Sequence, residues 1–563
     1  HYDAVLLLRM AAMLVPDYGQ LICRALEGGK TLCYADHDTR LSAFLHERPF
    51  FKPAFSPELL GQIDYLAAGY AISPDWLIQQ AKISNEKLTE AALHAALRCL
   101  QPSDVEHIPL CLSHLPPSAP VCLSPLAPSP LPTASEAQPK PRVTVIIPTA
   151  FVGSYLRTLL QSLHLTTEAY RQVLEVVIIT CDSPAKAEDA LKDAPLPCRV
   201  LYHDQDFNYA AVNNAAVQQT DGEILVFLND DIELHDRHWL PDMLALLQHP
   251  RAGAVGAKLL YPDGTIQHAG CLIGMNGGVG HIGIGLPGNT EIYHGVLTAQ
   301  REVSAVTGAC MAIRRDVFDE AGRFDENLPF SFNDIALCMR LRDLGYTHYI
   351  STRSRITHYE SRSRGYDDTP RKYQANREYF LYARTRYPGL READPYYTPN
   401  LDLSQPYLAY ASLSPIQLDR VLHQASSGCL FLLAQRMNYD PAVAPLLDVL
   451  ARARSAGPVR VLIAGEKETR FSEQCQNRMF PGTVSPTPLS ALKASLVNAP
   501  ESVLILDLCL LEVMEGLPPS LPLIGLTFQD GQACLMDLLG RRIQQHEADY
   551  QLPADITNFL AVT

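Results

Sequence analysis

The chain has 563 residues, 47% of them hydrophobic, which is enough for several domains with packed cores. Its 46 basic and 61 acidic side chains leave a net charge of -15 with no dense Lys/Arg stripe, which excludes a nucleic-acid scaffold. The 14 cysteines form no CxxC pair, which excludes a zinc knuckle; Cys181, Cys310, Cys338 and Cys509 lie in apolar segments and are predicted to be buried free thiols of a reducing compartment.

Residues 1–114 predict a small α/β unit that echoes a later part of the chain. "AVLLLRMAAMLVPDYGQLICRAL" (4–26) has the rhythm of "ILVFLNDDIELHDRHWLPDMLALL" (224–247): strand, short connection, amphipathic helix. In that alignment Asn229, Asp230 and Asp231 meet Arg9, Met10 and Ala11. "LTEAALHAALR" (88–98) parallels "FSFNDIALCMR" (330–340), so Asp334 meets Ala92, and the "LSH" ending at His114 parallels the "ITH" ending at His358. The unit is therefore expected to lack the carboxylates of its counterpart. Asp36 and Asp38 fall after the predicted helix rather than at a strand end, so no metal site is assigned to them. Residues 115–142 are rich in Pro, Ser and Ala and predict a semi-rigid linker.

Beyond it, "VTVIIPT" (143–149), "LEVVIIT" (174–180) and residues 223–228 are short β-branched apolar runs, as buried strands require. Helical stretches at 154–163 and within 206–223 separate them, which predicts βαβ units and a largely parallel sheet. The third run ends in Asn229-Asp230-Asp231. Two carboxylates at a buried strand end are costly unless compensated, and a divalent cation holding a diphosphate would compensate them. Ligands of open α/β sheets bind beyond the carboxyl ends of strands. Trp239, on "WLPDMLALL", is expected in the core. Asp334 opens a helix with apolar positions at Leu337, Leu341 and Leu344, where a carboxylate suits the helix dipole or serves as a cap. "RKYQANREYFLYARTRYPG" (371–389) predicts a Tyr/Arg helix, for which packing on the sheet is favoured over closing across a ligand site. In the last segment, 415–563, "GCLFLLAQ", "VRVLIAGE", "SVLILDLC" and "LPLIGLTF" predict four strands of a Rossmann-like domain without a phosphate loop.

The strings "VIIPT", "FNYAAVNNAA", "FLNDDIEL", "GAVGAKLLYPDGTIQHAG", "VSAVTGACMAIRRDVFDEAGRFDE", "FNDIALCMRLRDLGY" and "HYESRSRG" occur in order between residues 141 and 365. Over that span the chain resembles bacterial family 2 glycosyltransferases of GT-A fold, in the branch that builds O-antigens and rhamnose-containing polymers. The resemblance implies a catalytic GT-A domain over 143–400, a degenerate partial GT-A-like module over 1–114, and a metal-dependent inverting glycosyl transfer from a UDP- or dTDP-sugar to a glycan, lipid-linked glycan or glycoprotein acceptor. It implies Mn²⁺ or Mg²⁺ on Asp231 and His358, and Asp334 as general base. Pro148, Thr149, Asn208, Asn213, Asn229, Asp230 and Arg364 would face the donor; Thr307, Gly308, Ala309 and Asn333 would face the sugar and acceptor. Relatives place an Asp after the second strand to read the nucleobase; Thr180 stands there and Asp182 is the substitute, so the nucleotide is left open. Arg362 is expected to be a solvated neighbour of Arg364.

No apolar run reaches membrane-spanning length and no signal peptide is visible. The sequence opens on His1, so it is read as starting inside a longer protein. The expected location is cytoplasmic, peripheral at the inner face of the bacterial membrane, with no nucleic-acid partner and with partner enzymes docking on the terminal domains. The rival readings are a non-catalytic glycan- or partner-binding scaffold of degenerate modules and a nucleotidyltransferase, whose basic Gly-rich opening loop "IPTAFVG" does not supply.

Overall fold

The computed structural model describes residues 4–403 except 9–11, 15–17, 41–45, 84–87, 117–138, 292–294, 360–369, 399–400 and 402, and beyond them six strands between 429 and 537. The centre is an eight-stranded mixed sheet in the order Arg301–Val303, Thr347–Ser351, Ala252–Ala257, Cys310–Arg314, Ile224–Leu228, Val143–Pro148, Leu174–Thr180, Arg199–Tyr202. The last four strands run parallel. Cys310–Arg314 is antiparallel to both of its neighbours. The middle strands are buried on both faces, as their unbroken apolar sequences require. On one face, helix Tyr155–Thr166 buries Leu156, Leu159, Leu160 and Leu163 beside Trp239, whose indole N–H donates to Thr166 Oγ1 at 3.1 Å. On the other face, helix Tyr209–Gln218 lays Ala210, Val212, Ala216 and Val217 flat against the sheet. There Phe227 meets Phe318 and Phe324 at centroid distances of 5.3 and 4.9 Å. Each fully buried Leu or Phe here contributes about 2 kcal/mol.

A four-stranded sheet sits at the end of this core, ordered Ile232–Leu234, Ile356–His358, Leu259–Leu260, Ile266–His268. Its antiparallel register sets Ile232 opposite His358, which brings the end of the 224–228 strand to a histidine far along the chain.

The N-terminal unit is a six-stranded sheet built on Leu32–Arg40 and Val105–Leu115. It shares its core with the central domain: Phe51 packs with Ile266, Leu297, Tyr397 and Leu401, and Leu59 with Val296 and Ala299. At the join, the buried Glu302 carboxylate accepts the amides of Glu58 (2.8 Å) and Leu59 (3.4 Å). Glu58 is itself buried, 3.5 Å from Arg98 and 3.4 Å from His249. Burial pushes the Glu302 carboxyl from 4.5 up to about 7, with Glu58 adding to the rise against the two amide bonds. A carboxyl raised in the folded state binds its proton more tightly folded than unfolded, so stability falls as pH climbs from the unfolded value through about 7, by roughly 3 kcal/mol for a shift of this size. Glu302→Gln should flatten that slope: the gap in thermal midpoint between about pH 5 and about pH 8 should be smaller than in the parent chain.

Beyond residue 403, the strands Cys429–Ala434, Val459–Ala464, Val503–Asp507 and Leu523–Gln529 correspond to the four expected ones. Val484–Thr487 and the antiparallel Gln532–Asp537 complete the sheet. Cys509 lies outside the described residues. Cys310 and Cys338 are buried thiols, whereas Cys181, expected to be buried, is exposed just past the end of its strand. Among the described residues, no helix is long and apolar enough to cross a membrane.

Candidate active site

The site lies where the strand Ile224–Leu228 ends. Asn229, Asp230 and Asp231 leave the sheet there, and both Asp side chains are almost fully buried. Asp231 Oδ1 lies 3.0 Å from His358 Nε2, and Asn229 Nδ2 lies 3.4 Å from the same nitrogen. The other ring nitrogen, Nδ1, faces Gln267 Oε1 at 2.6 Å. An amide oxygen accepts, so this contact calls for a proton on Nδ1 and turns Nε2, which carries a lone pair in the neutral ring, toward Asp231. A lone pair and a carboxylate oxygen 3.0 Å apart repel unless a proton or a cation lies between them. The donor set, one carboxylate and one imidazole held by its second nitrogen, fits a divalent ion such as Mn²⁺ or Mg²⁺. Thr149 donates its hydroxyl to Asp230 Oδ2 at 2.6 Å and thereby orients it.

The second half of the site joins the first through the backbone. The Asn229 amide donates to Ala309 O at 3.0 Å. One residue earlier, the Gly308 amide donates to Asp334 Oδ2 at 2.8 Å. Tyr209 donates its hydroxyl to Gly308 O at 2.9 Å; burial, and then the Asp334 charge, push that phenol far above its usual range and keep it a donor. Asp334 is not a helix cap. Phe332 holds the cap position of helix Asn333–Asp343 in a left-handed conformation (φ 65°), which costs on the order of 1–3 kcal/mol. Helix Pro370–Arg386 braces that loop: Phe380 packs on Phe332 at 5.5 Å, and Ser331 donates to Asn376 at 2.7 Å. Leu337 and Leu341 are buried as expected, but Leu344 is not, because the helix stops at Asp343 and the chain turns at Gly345 (φ 82°). A Cβ on Gly308 would stand 3.1 Å from Tyr209 Oη and 3.6 Å from Asp334 Cβ. Gly308→Ala should therefore fold normally yet lower kcat by about tenfold or more, since small misplacements of a reacting group are costly; steady-state kinetics beside a thermal melt checks this.

Several expected donor-side residues also hydrogen-bond within the fold. Asn208 caps helix Tyr209–Gln218, accepting from Ala211 N at 3.1 Å and donating to Glu326 O at 2.8 Å. Asn213 is fully buried, where its turn of the helix faces the core, and its side chain donates to Tyr209 O. Asn333 is likewise buried and donates to Leu328 O. Pro148 is buried at its strand end, opposite Ile179. Asp182 lies 2.9 Å from Lys186, and its amide donates to Thr180 Oγ1. The Ala309 amide donates to Thr307 Oγ1 at 3.3 Å. Arg362 and Arg364 lie outside the described residues. Gln267 and Tyr209 were not anticipated. Gln267 stands in the quoted "GTIQHAG", but nothing local ties it to a histidine 91 residues away.

The N-terminal unit departs from expectation. Asp36 and Asp38 follow helix Tyr18–Glu27, as expected, and lie inside strand Leu32–Arg40. Asp38 Oδ1 is 2.6 Å from His114 Nδ1, and Asp36 Oδ1 is 2.7 Å from His107 Nε2. A carboxylate–imidazole pair like that of Asp231 and His358 is thus present in this unit. The helix-to-strand alignment missed it because the carboxylates come from a different strand.

Residues 144–322 match the family model for glycosyl transferase family 2. The chain is 40% identical over 272 residues to the uncharacterized protein y4gI of Sinorhizobium fredii, covering 47% of this chain and 30% of that protein. It is 33% identical over 410 residues to the O-antigen biosynthesis protein RfbC of Myxococcus xanthus, covering 66% and 32%. It is 26% identical over 269 residues to N-acetylglucosaminyl-diphospho-decaprenol L-rhamnosyltransferase of Mycobacterium tuberculosis, covering 44% and 85%. The chain spans about a third of the length of the first two relatives. With the mixed sheet described above, the family match identifies the central α/β domain as GT-A.

Proposed function

We propose, from the premise that this chain carries a bacterial family 2 glycosyltransferase domain of the O-antigen-like branch, that it moves a sugar from a nucleoside-diphosphate donor to a glycan or glycosylated acceptor with inversion. The observation that carries this reading is the run of contacts from Asp231 and His358 through Asn229, Ala309 and Gly308 to Asp334. In this reading Asp231 and His358 form the diphosphate end and Asp334 the base, on two sides of one short segment. Asp231 and His358 would hold Mn²⁺ or Mg²⁺, which when bound neutralises charge on the leaving diphosphate. Asp334 takes the proton of the acceptor hydroxyl as it attacks the anomeric carbon, and the Gly308 amide keeps that carboxylate aimed. Thr149, through Asp230, sets the approach of the donor. The mycobacterial relative's name makes a deoxysugar donor such as dTDP-rhamnose the first to try, with a lipid-linked glycan as acceptor. We place the reaction at the inner face of the bacterial membrane, where such acceptors are displayed.

The test incubates the full chain with UDP-, dTDP- and GDP-sugars, Mn²⁺ and a lipid-linked glycan, and follows nucleoside diphosphate release. Acceptor-dependent release from one donor, lost in Asp334→Asn, supports the reading. No release from any donor, with the chain folded, favours a glycan-binding scaffold.

A further inference from the structure

We propose that His268, Cys271 and His281 form a zinc site whose ligands are distinct from Asp231 and His358. His268 ends the strand Ile266–His268 and is fully buried. Gly270 then turns the chain (φ 104°), in a space where a Cβ would meet Val303 Cγ1 at 2.7 Å, so that Cys271 starts a new strand close by. Cys271–Ile273 pairs antiparallel with Val279–His281, and the register sets Cys271 directly opposite His281. Directly opposed residues of an antiparallel pair project from the same face, which brings thiol and imidazole together. One ligand atom from each of the three residues lies within 4.8 Å of the other two. The two Nδ1 atoms are 2.7 Å apart, and two imidazole nitrogens at that distance share one proton.

That shared proton marks where a cation would sit. Zinc binds imidazole nitrogen at about 2.0–2.1 Å and thiolate sulfur at about 2.3 Å in a tetrahedron, so the two nitrogens need to part by only about half an ångström. On binding, the Cys271 thiol proton passes to solvent and the proton held between the two rings moves to His268 Nε2, so that two neutral imidazoles and one thiolate bond the metal. Thiolate and imidazole select Zn²⁺ over Mg²⁺ or Mn²⁺, which prefer oxygen. The site therefore takes a different metal from the carboxylate–histidine pair. Three protein ligands leave a fourth position for water.

The position gives the site a role. The Cys271 amide donates to Ala305 O at 2.9 Å, two residues before Thr307, and the Thr307 amide lies 3.4 Å from His268 Nε2. Zinc would fasten the hairpin beneath the segment that carries Thr307, Gly308 and Ala309, and so brace the acceptor side of the active site.

The test uses the full chain, stripped with chelator and titrated with Co²⁺ as a spectroscopic probe, with Zn²⁺ and Mn²⁺ as competitors. The expected result is a thiolate-to-cobalt charge-transfer band that saturates at one equivalent, is abolished by Zn²⁺ and resists excess Mn²⁺. The band should disappear in Cys271→Ser, weaken in His281→Asn and persist in Asp231→Ala. Circular dichroism and a thermal melt establish that each variant is folded; His281 is partly exposed, so its replacement perturbs the core least. Absence of the band in the parent chain, or its survival in Cys271→Ser, overturns the proposal. Neither readout involves a nucleotide or a sugar, so this result is independent of the transferase reading.

Discussion

Asp334→Asn should lower sugar transfer by about 10²–10⁴-fold while leaving nucleotide binding unchanged. The amide keeps the size of the carboxylate and its oxygen can still accept the Gly308 amide at 2.8 Å, although the second bond, from the Ile335 amide to Oδ1, is given up. What is lost is the ability to take the acceptor proton. The KM for donor should stay put and kcat should fall, the pattern of a group needed only in the transition state. If Asp334 merely fixed the helix start, Asn would serve about as well, since Asn and Asp rank together at helix N-termini. A loss of twofold or less would therefore assign Asp334 to structure. The measurement is steady-state kinetics for both substrates, with a thermal melt of the variant beside the parent chain.

Asp231→Ala should abolish metal-dependent donor binding, and with it transfer, by about 10²–10³-fold or more, the usual cost of removing one preorganised electrostatic contact. Gln267→Leu should cost less, about 10–100-fold in metal affinity, because Gln267 acts through His358 and fixes its ring rather than touching the ion. The graded order is the informative part. A scaffold in which His358 and Asp231 are a buried polar contact would lose stability in both variants and show no metal dependence in either. Titration of Mn²⁺ against each variant, read through nucleotide binding, separates the two accounts.

How much of this was legible in the sequence follows from the range of the interactions. The strands Val143–Pro148, Leu174–Thr180 and Ile224–Leu228 announce themselves because a strand covered on both faces must be apolar throughout. The carboxylates of residues 230 and 231 stand out for the opposite reason, as charge at the end of such a run. The edge strand Arg301–Val303 is silent: two of its three residues are charged, and their burial depends on carbonyls and amides from the N-terminal unit and neighbouring loops. Gln267 is silent as well, since its partner lies 91 residues away, two strands over in the small sheet. Asn208 and Asn213 are ambiguous for a different reason. Polar residues beside a ligand-binding loop and polar residues that cap or brace a helix have the same composition, and only the hydrogen bonds tell them apart. The Asp38–His114 pair escaped because sequence rhythm aligned the wrong strand, whereas the parallel register of Leu32–Arg40 with Val105–Leu115 puts those two residues side by side.

The central claim is a metal-dependent diphosphate site at Asp231 and His358 on the rim of a GT-A sheet. Calorimetric titration of the full chain with UDP, dTDP, GDP and CDP, in Mn²⁺ and in EDTA, and again in Asp231→Ala, tests it most directly. The account predicts that one nucleotide binds in Mn²⁺, that EDTA removes the binding, and that Asp231→Ala removes it too. The absence of binding by any nucleotide in either medium, or binding indifferent to EDTA and to the substitution, would contradict it.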